Sequence, residues 1–366
     1  MFKTMNLAGV RKIPSPKSTK NMAEKHDLKS LASSIQSFAS LSPFLSYLTE
    51  LHEKYQNLNN GAISDRIPEL ANALPESFGI CVVTANGQVF EVGDCKQLFA
   101  MHSISKPFVY GLALEDCDRE YVSRKVSVKQ AGETSNSIVL DDKNKRPYNP
   151  IVNAGAIATT DMIKGNGINE RLKRILDMFE RYTGRKHSVD TATFFSEKGI
   201  GNRDRGIAYL MLNFGIVSDK IEETLDLYFQ QNSILVNARD LAVMSATLAN
   251  GGVNPITGQR AVDERYVQDV VSVMHTCGMY DASGEWAYRV GMPAVGGVSG
   301  GTIALAPGKL GLGVFSPLVD EENNSVRGIK VCKDLAKDFG LHLFNVTKPE
   351  RDLKAWIEGG DSVEGW

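Results

Sequence analysis

The chain has 366 residues, 42% hydrophobic and 23% charged, which is an ordinary globular composition with enough apolar material for a large core. A formal net charge of -2 argues against nucleic-acid binding, and no stretch is apolar for long enough to span a bilayer. Five cysteines, without a C-x-x-C pair, argue against a disulfide framework or structural zinc and favour a reducing cytoplasm.

Elements can be predicted from the first residues onward. Residues 1–29 are basic and polar and lack the apolar core of a secretory signal, so we expect a disordered arm there. Apolar residues at helical spacing predict a helix within 30–57. Two strand-like runs, 78–84 and 88–92, flank Asn86-Gly87, a strong β-hairpin signal.

The middle of the chain carries helical patterns. Residues 170–182 place apolar side chains on one stripe, and Gly184 predicts the end of that helix. Asn237, with Asp240 three positions later, predicts a capped helix start.

Strand signals return near the end. The runs 302–306 and 311–316 flank a Pro307-Gly308 turn, and 326–339 reads as a last helix. We therefore predict an α+β fold in which both chain ends build one antiparallel sheet, flanked by helices.

This pattern also suggests a domain organisation. A helical lobe of about 115–270 would be inserted into the sheet, and a cleft between the two would hold the pocket. The folded domain would span 30–345, with 346–366 as a C-terminal tail.

Ser103 and Lys106 form an S-x-x-K motif at the start of an apolar, helix-like run. Residues three apart on a helix share a face, so a buried, neutral lysine amine could take the serine proton and create an acyl acceptor. The motif is weak by itself, because a helix-capping serine followed by a surface lysine has the same letters.

Five further stretches accompany this motif in order: 146–157 (RPYNPIVNAGAI), 195–198 (FSEK), 227–231 (LYFQQ), 248–252 (LANGG) and 274–281 (MHTCGMYD). Together they closely resemble the serine-dependent glutaminase family, which shares its fold with serine β-lactamases and penicillin-binding proteins. The resemblance runs from about residue 63 to 344.

The resemblance implies a catalytic set. Ser103 would accept the γ-acyl group of glutamine, and Lys106 would activate it. The backbone N–H groups of Ser103 and Val298 would hold the oxyanion. Tyr280 would assist proton movement to the leaving ammonia. Neither a metal nor an organic cofactor is expected.

The resemblance also implies a substrate-binding set. Asn153 and Tyr228 match positions that bind the amino-acid head group, and Glu197 matches the carboxylate that receives its α-ammonium. From the residues alone, Tyr228 and Tyr280 could be core aromatics, Asn153 a turn residue and Glu197 a solvated one.

Four positions depart from the family pattern. Arg66 stands where a tyrosine is usual, His102 replaces a glutamine, and Asp204 replaces an asparagine. Val295-Gly296-Gly297 stands in place of a K-[ST]-G triplet.

These departures change charges around the pocket. Without the triplet lysine, we expect Lys106 to hold its proton more firmly. Asp204 would repel a substrate carboxylate unless Arg66 compensates, and we include both among the substrate-binding residues. His102 could titrate near neutral pH and take part in proton transfer, but adjacent residues on a helix do not face each other, which argues against a role beside Ser103. Arg66→Tyr combined with Val295→Lys is expected to raise activity.

The sequence thus predicts a cytoplasmic amidohydrolase that converts L-glutamine to L-glutamate and ammonia. One alternative is a serine acyl-transfer or hydrolytic enzyme for another ω-amide or modified amino acid. Another is a catalytically weak sensor that binds glutamine or glutamate. The expected partner is a small amino-acid substrate, with no nucleic acid or membrane, and the resemblance implies a homo-oligomer, a dimer or tetramer.

Overall fold

The computed structural model describes residues 42–130 and 139–359. The predicted arm, 1–29, and the first part of the predicted helix lie outside these residues. The helices are α1 (Pro43–Tyr55), α2 (Pro68–Ala71), α3 (Lys106–Lys125), α4 (Asn153–Asp161), α5 (Ile168–Thr183), α6 (Thr191–Ile200), α7 (Asn202–Asn213), α8 (Ile221–Asn232), α9 (Ala238–Ala249), α10 (Glu264–Cys277), α11 (Ser283–Arg289), α12 (Val326–Asp338) and α13 (Leu353–Glu358). Short 3-10 helices cover His102–Ser105 and Tyr280–Ala282.

The strands are β1 (Ala62–Ile63), β2 (Gly79–Thr84), β3 (Val89–Gly93), β4 (Phe99–Ala100), β5 (Leu235–Val236), β6 (Ala294–Gly296), β7 (Gly301–Ala306), β8 (Leu310–Phe315) and β9 (Leu318–Val319). Five of them form one antiparallel sheet in the order β3-β2-β8-β7-β6. The pairs β1-β9 and β4-β5 form two small sheets.

The large sheet joins the two ends of the chain. The predicted hairpin forms β2 and β3, and β2 then pairs with β8 from the C-terminal part, placing Val82 opposite Leu312. The predicted α+β class, with an antiparallel sheet built from both ends, is confirmed.

Each face of the sheet contributes to a different core, because side chains alternate across a strand. Ile80 and Val82 join the core beneath the terminal helices, which includes Phe44 of α1. Cys81 and Val83 join the core of the helical lobe.

Helix α9 lies directly on β8, and two glycines permit this close approach. A Cβ atom at Gly313 would lie 2.2 Å from the Ala238 carbonyl oxygen, and one at Gly311 would lie 2.1 Å from the Ala246 nitrogen. The predicted capping box at the start of this helix is present, since Asn237 accepts a hydrogen bond from the Asp240 N–H and Asp240 accepts one from Asn237.

The inserted segment is helical, as predicted. Helix α5 covers the predicted stripe and ends at Gly184, whose φ of 79° closes it in the left-handed conformation. Its Tyr182 packs edge-on against Phe108 of α3, with ring centroids 4.8 Å apart. In the described ranges no helix is long and apolar enough to cross a membrane.

The helix at 326–339 is not the last one, contrary to our expectation. Within the predicted tail, α13 packs on α1: the Ser42 hydroxyl donates to the Trp356 carbonyl at 3.1 Å, and the Trp356 ring meets Tyr47 edge-on. Periodicity over so short a helix is too weak to separate it from a tail.

Candidate active site

A cleft of about 150 Å³ collects most of the predicted site residues. It is lined by Ser64, Arg66, His102, Ser103, Asn153, Glu197, Tyr228, Asn232, Tyr280, Val298, Glu322 and Asn323. Lys106 and Asp204 are buried behind this wall, linked through Asn153. A larger cavity of about 380 Å³, between α11 and α12, contains none of the predicted residues.

Ser103 lies in a 3-10 turn directly before α3, so the turn and the helix together, rather than one α-helix, carry the S-x-x-K motif. The preceding residue, His102, has a φ of 47°, and Tyr280 has a φ of 54°. Such left-handed backbone is uncommon for residues other than glycine, and it concentrates at functional sites.

Tyr280 contacts both the serine and the sheet. A hydrogen bond joins its side chain to that of Ser103, and its hydroxyl donates to the Gly296 carbonyl at 3.2 Å. Burial raises the pKa of the Tyr280 phenol to about 12, and the bond to Ser103 opposes this rise. The phenol therefore stays protonated at neutral pH and can act as a donor.

Lys106 is not a surface lysine: only 1% of it is exposed. Its Nζ donates to Asn153 Oδ1 at 2.8 Å and lies 5.9 Å from the centroid of the Tyr280 ring. Burial lowers the pKa of the Lys106 amine to about 7, with Asp204 opposing the shift and Arg66 adding to it. Desolvation therefore governs this amine, and the effect of the missing triplet lysine, which would act in the opposite direction, stays a prediction.

Asp204 does not face the substrate space. It is 4% exposed and accepts a hydrogen bond at 2.9 Å from Asn153 Nδ2. Asn153 is the first residue of α4, so it is not a solvated turn residue. These contacts form a buried chain from Lys106 through Asn153 to Asp204.

Arg66 pairs with Glu197 and not with Asp204, so it does not neutralise Asp204 by direct contact. Its guanidinium nitrogen lies 2.9 Å from Glu197 Oε2, with 39% of the arginine side chain and 1% of the glutamate exposed. Burial raises the pKa of Glu197, while Arg66 opposes the rise. The reading of Glu197 as a solvated residue is therefore excluded.

His102 does not titrate near neutral pH. Burial, with smaller contributions from Arg66 and Lys106, lowers the pKa of its imidazole to about 3. Its Nδ1 lies 3.5 Å from Glu197 Oε1, so a neutral ring stands beside the carboxylate. This burial argues against the alternative in which His102 transfers protons at neutral pH.

Tyr228 is buried on α8, where its side chain is hydrogen-bonded to that of Asn232 one turn later. Burial raises the pKa of its phenol well above the ordinary value. Asn232 was not predicted from the sequence, although its spacing from Tyr228 was a usable signal. Glu322 and Asn323 were not predicted either, because they precede α12 in a loop with no local signal.

Val298 follows β6 in a turn at the edge of the cleft. No acceptor for its backbone N–H is found within 42–130 and 139–359, so this donor can serve an oxyanion. The residues that replace the family triplet are buried: Val295 is part of the core, and a Cβ at Gly296 would lie 2.1 Å from Asn324 Oδ1. Val295→Lys would therefore bury a charge in apolar surroundings, which argues against the raised activity that we expect from the double change; that expectation stays a prediction.

Comparisons with known proteins agree on one family. The family model described as glutaminase matches residues 61–344. A glutaminase of Microcystis aeruginosa is 68% identical over 317 residues, covering 87% of this chain and 94% of the relative. A solved probable glutaminase is 37% identical with a TM-score of 0.81, covering 83% of this chain and 99% of its own. A protein called Mglu, solved in its glutamate form, is 38% identical with a TM-score of 0.80. The match covers 84% of this chain and 72% of Mglu.

Fold and comparisons together define the class: an amide hydrolase with the β-lactamase-like architecture. The chain belongs to the glutaminase family. The predicted family, fold class and enzyme class are confirmed.

Proposed function

We propose that this glutaminase hydrolyses L-glutamine to L-glutamate and ammonia through an ester formed on Ser103. Family membership carries the reaction. The observation that carries the mechanism is the buried Lys106 amine, whose pKa of about 7 leaves much of it neutral at physiological pH. Nucleophilic catalysis requires a neutral base within reach of the serine, and Lys106 and Ser103 both contact Tyr280.

In the first half-reaction, Ser103 Oγ attacks the side-chain amide carbon of glutamine and Lys106 takes the hydroxyl proton. The N–H groups of Ser103 and Val298 stabilise the oxyanion, each by about 3 kcal/mol. The C–N bond then breaks, and Tyr280 delivers a proton to the leaving nitrogen and recovers one from Lys106. Ammonia and the γ-glutamyl ester of Ser103 result.

In the second half-reaction, water attacks the ester carbon and gives its proton to Lys106. The bond to Ser103 Oγ breaks, Lys106 returns this proton to the serine oxygen and becomes neutral again, and glutamate leaves. The oxyanion donors act again, because both steps pass through a tetrahedral intermediate.

Substrate binding requires a change of partner at Glu197. Its carboxylate is the group that would receive the substrate α-ammonium, yet Arg66 occupies it. Arg66 is more than a third exposed, so it can turn toward the substrate α-carboxylate when the ammonium replaces it. Asn153 and Tyr228 would hold the remaining polar atoms of the head group.

The five cysteines are free thiols, which supports a reducing compartment and therefore the cytoplasm. The resemblance to the family supports a dimer or tetramer.

The mechanism is tested by Ser103→Ala. We expect ammonia release from glutamine to be lost, and an electrophilic glutamine analogue to add its mass to the parent enzyme at Ser103 and not to the variant. Ser105→Ala is the matched control, because the Ser105 hydroxyl donates to the His102 carbonyl at 2.8 Å and is engaged inside the fold. Turnover that survives in Ser103→Ala would disprove the acyl-serine mechanism.

The same assay separates the alternatives. Release from another ω-amide in preference to glutamine would indicate a changed substrate. Saturable glutamate binding without release from any amide would indicate a sensor.

A further inference from the structure

The chain of hydrogen bonds behind the cleft has a direction. Lys106 donates to Asn153 Oδ1 at 2.8 Å, and Asn153 donates through Nδ2 to Asp204 Oδ1 at 2.9 Å. We propose that Asp204 is a positioning residue for the base: it holds the Asn153 carboxamide with its oxygen toward Lys106, which leaves the amine lone pair free for Ser103. This inference rests on the proposed function.

The direction follows from which groups can donate. A carboxylate only accepts hydrogen bonds, so Asp204 must face the NH₂ end of Asn153. The carbonyl end then points to Lys106 and takes one of its N–H bonds. A neutral amine has two N–H bonds and one lone pair. The hydrogen bond to Asn153 Oδ1 uses one N–H and leaves the lone pair unoccupied.

The opposite orientation would disable the base. If Asn153 turned its NH₂ toward Lys106, the neutral amine would accept that hydrogen bond and its lone pair would be lost to Ser103. An asparagine at position 204 could face either end of the Asn153 amide, since a carboxamide both donates and accepts. Aspartate therefore specifies the orientation by its charge, not by its shape.

Arg66 opposes the electrostatic effect of Asp204 on the pKa of Lys106. The charged groups that act on Lys106 are Asp204 and Glu197, which raise its pKa, and Arg66, which lowers it. The neutral His102 and the protonated Tyr280 are further titratable groups near Lys106. Arg66 and Asp204 have no direct contact among the described residues, yet their effects on Lys106 oppose each other.

The test is the pH dependence of kcat/KM for glutamine. Only neutral Lys106 accepts the proton, so activity rises with pH through the pKa of this amine. In Asp204→Asn, loss of the negative charge should move this acidic limb to lower pH by about 1 unit. At the plateau we expect kcat/KM to fall about tenfold, part of what a positioned base contributes.

Arg66→Gln is the second variant of the test. Arg66 lies at the rim of the cleft, so this variant protein should fold. Loss of its positive charge should move the acidic limb to higher pH, and the double variant should return it close to that of the parent. Asp269→Asn is the matched control: the same atoms change in a surface ion pair with Arg119, outside the cleft. In this control, the acidic limb and the plateau of kcat/KM should match those of the parent.

Some outcomes would overturn the proposal. The first is an acidic limb of Asp204→Asn that stays in place or moves to higher pH. The second is an acidic limb of Arg66→Gln that does not move to higher pH. Failure of the proposed function is recognised separately: Ser103→Ala would then keep its turnover. If Ser103→Ala is inactive and the limbs do not move, only the role of Asp204 is wrong.

Discussion

Lys106 shows what burial does to a single side chain. Its amine has a carboxamide for a hydrogen-bond partner, and no carboxylate lies within ion-pair distance among the described residues. Desolvation therefore favours the neutral form and lowers the pKa from 10.5 to about 7. The same burial that makes the amine a base should weaken the fold.

The sign follows from proton binding. Unfolding exposes the amine, and between pH 7 and 10.5 the unfolded chain then binds more protons than the folded one. The destabilisation caused by burying Lys106 should therefore be complete below about pH 7, and it should disappear as the pH rises toward 10.5. We expect Lys106→Met to abolish turnover and to raise the free energy of unfolding at neutral pH by about 3 kcal/mol.

Urea unfolding at several pH values measures this gain, which should shrink as the pH approaches 10.5. Lys330→Met, at an exposed position on α12, is the control and should change stability little. A Lys106→Met protein less stable than the parent at pH 7 would contradict the expectation.

At the level of elements, the contact between α9 and β8 sets the distance between the helical lobe and the sheet. Alternation in the strand places Leu312 on one face, while Gly311 and Gly313 face the helix. The local pattern predicted the strand, but only the packed helix explains why positions 311 and 313 on that face are glycines.

Gly313→Ala should destabilise the protein by about 1–3 kcal/mol, because its Cβ would overlap the Ala238 carbonyl oxygen. Gly206→Ala is the matched control: it lies inside α7 with nothing within 4 Å of the added carbon. That change should stabilise the helix by up to about 1 kcal/mol. Thermal unfolding measures both, and equal effects would contradict the role of the close contact.

At the scale of the whole molecule, the cleft lies where parts from distant regions of the chain meet. Arg66 comes from the N-terminal part, Glu197 from the helical lobe, and Val298 from the turn after β6. The terminal helices support the opposite face of the sheet and do not enter the cleft. Substitutions in the terminal helices should therefore change stability without changing activity.

Trp356→Ala tests this separation. Its ring meets Phe339 and Tyr47 with centroids 5.8 and 6.1 Å away, and losing it should lower the free energy of unfolding by about 2 kcal/mol. The kcat for glutamine should stay near that of the parent. Tyr288→Ala is the control, because this aromatic residue is 86% exposed. Unchanged stability in Trp356→Ala would show that α13 does not support the fold.

The sequence by itself determined the elements that depend on neighbouring residues. The hairpin at Asn86-Gly87, the cap at Asn237 and the end of α5 at Gly184 each follow from backbone preferences within a few positions. The ordered motifs likewise determined the family, since they need no coordinates to be recognised.

Only the tertiary structure decided which charges meet. Arg66 and Glu197 are 131 positions apart, and Asn153 and Asp204 are 51 apart, so no local pattern links them. The pKa values of Lys106 and His102 likewise depend on burial by elements far along the chain. Electrostatic partners and solvent exclusion are properties of the packed molecule, which is why the sequence predicted candidate residues for the cleft but not which charges they meet.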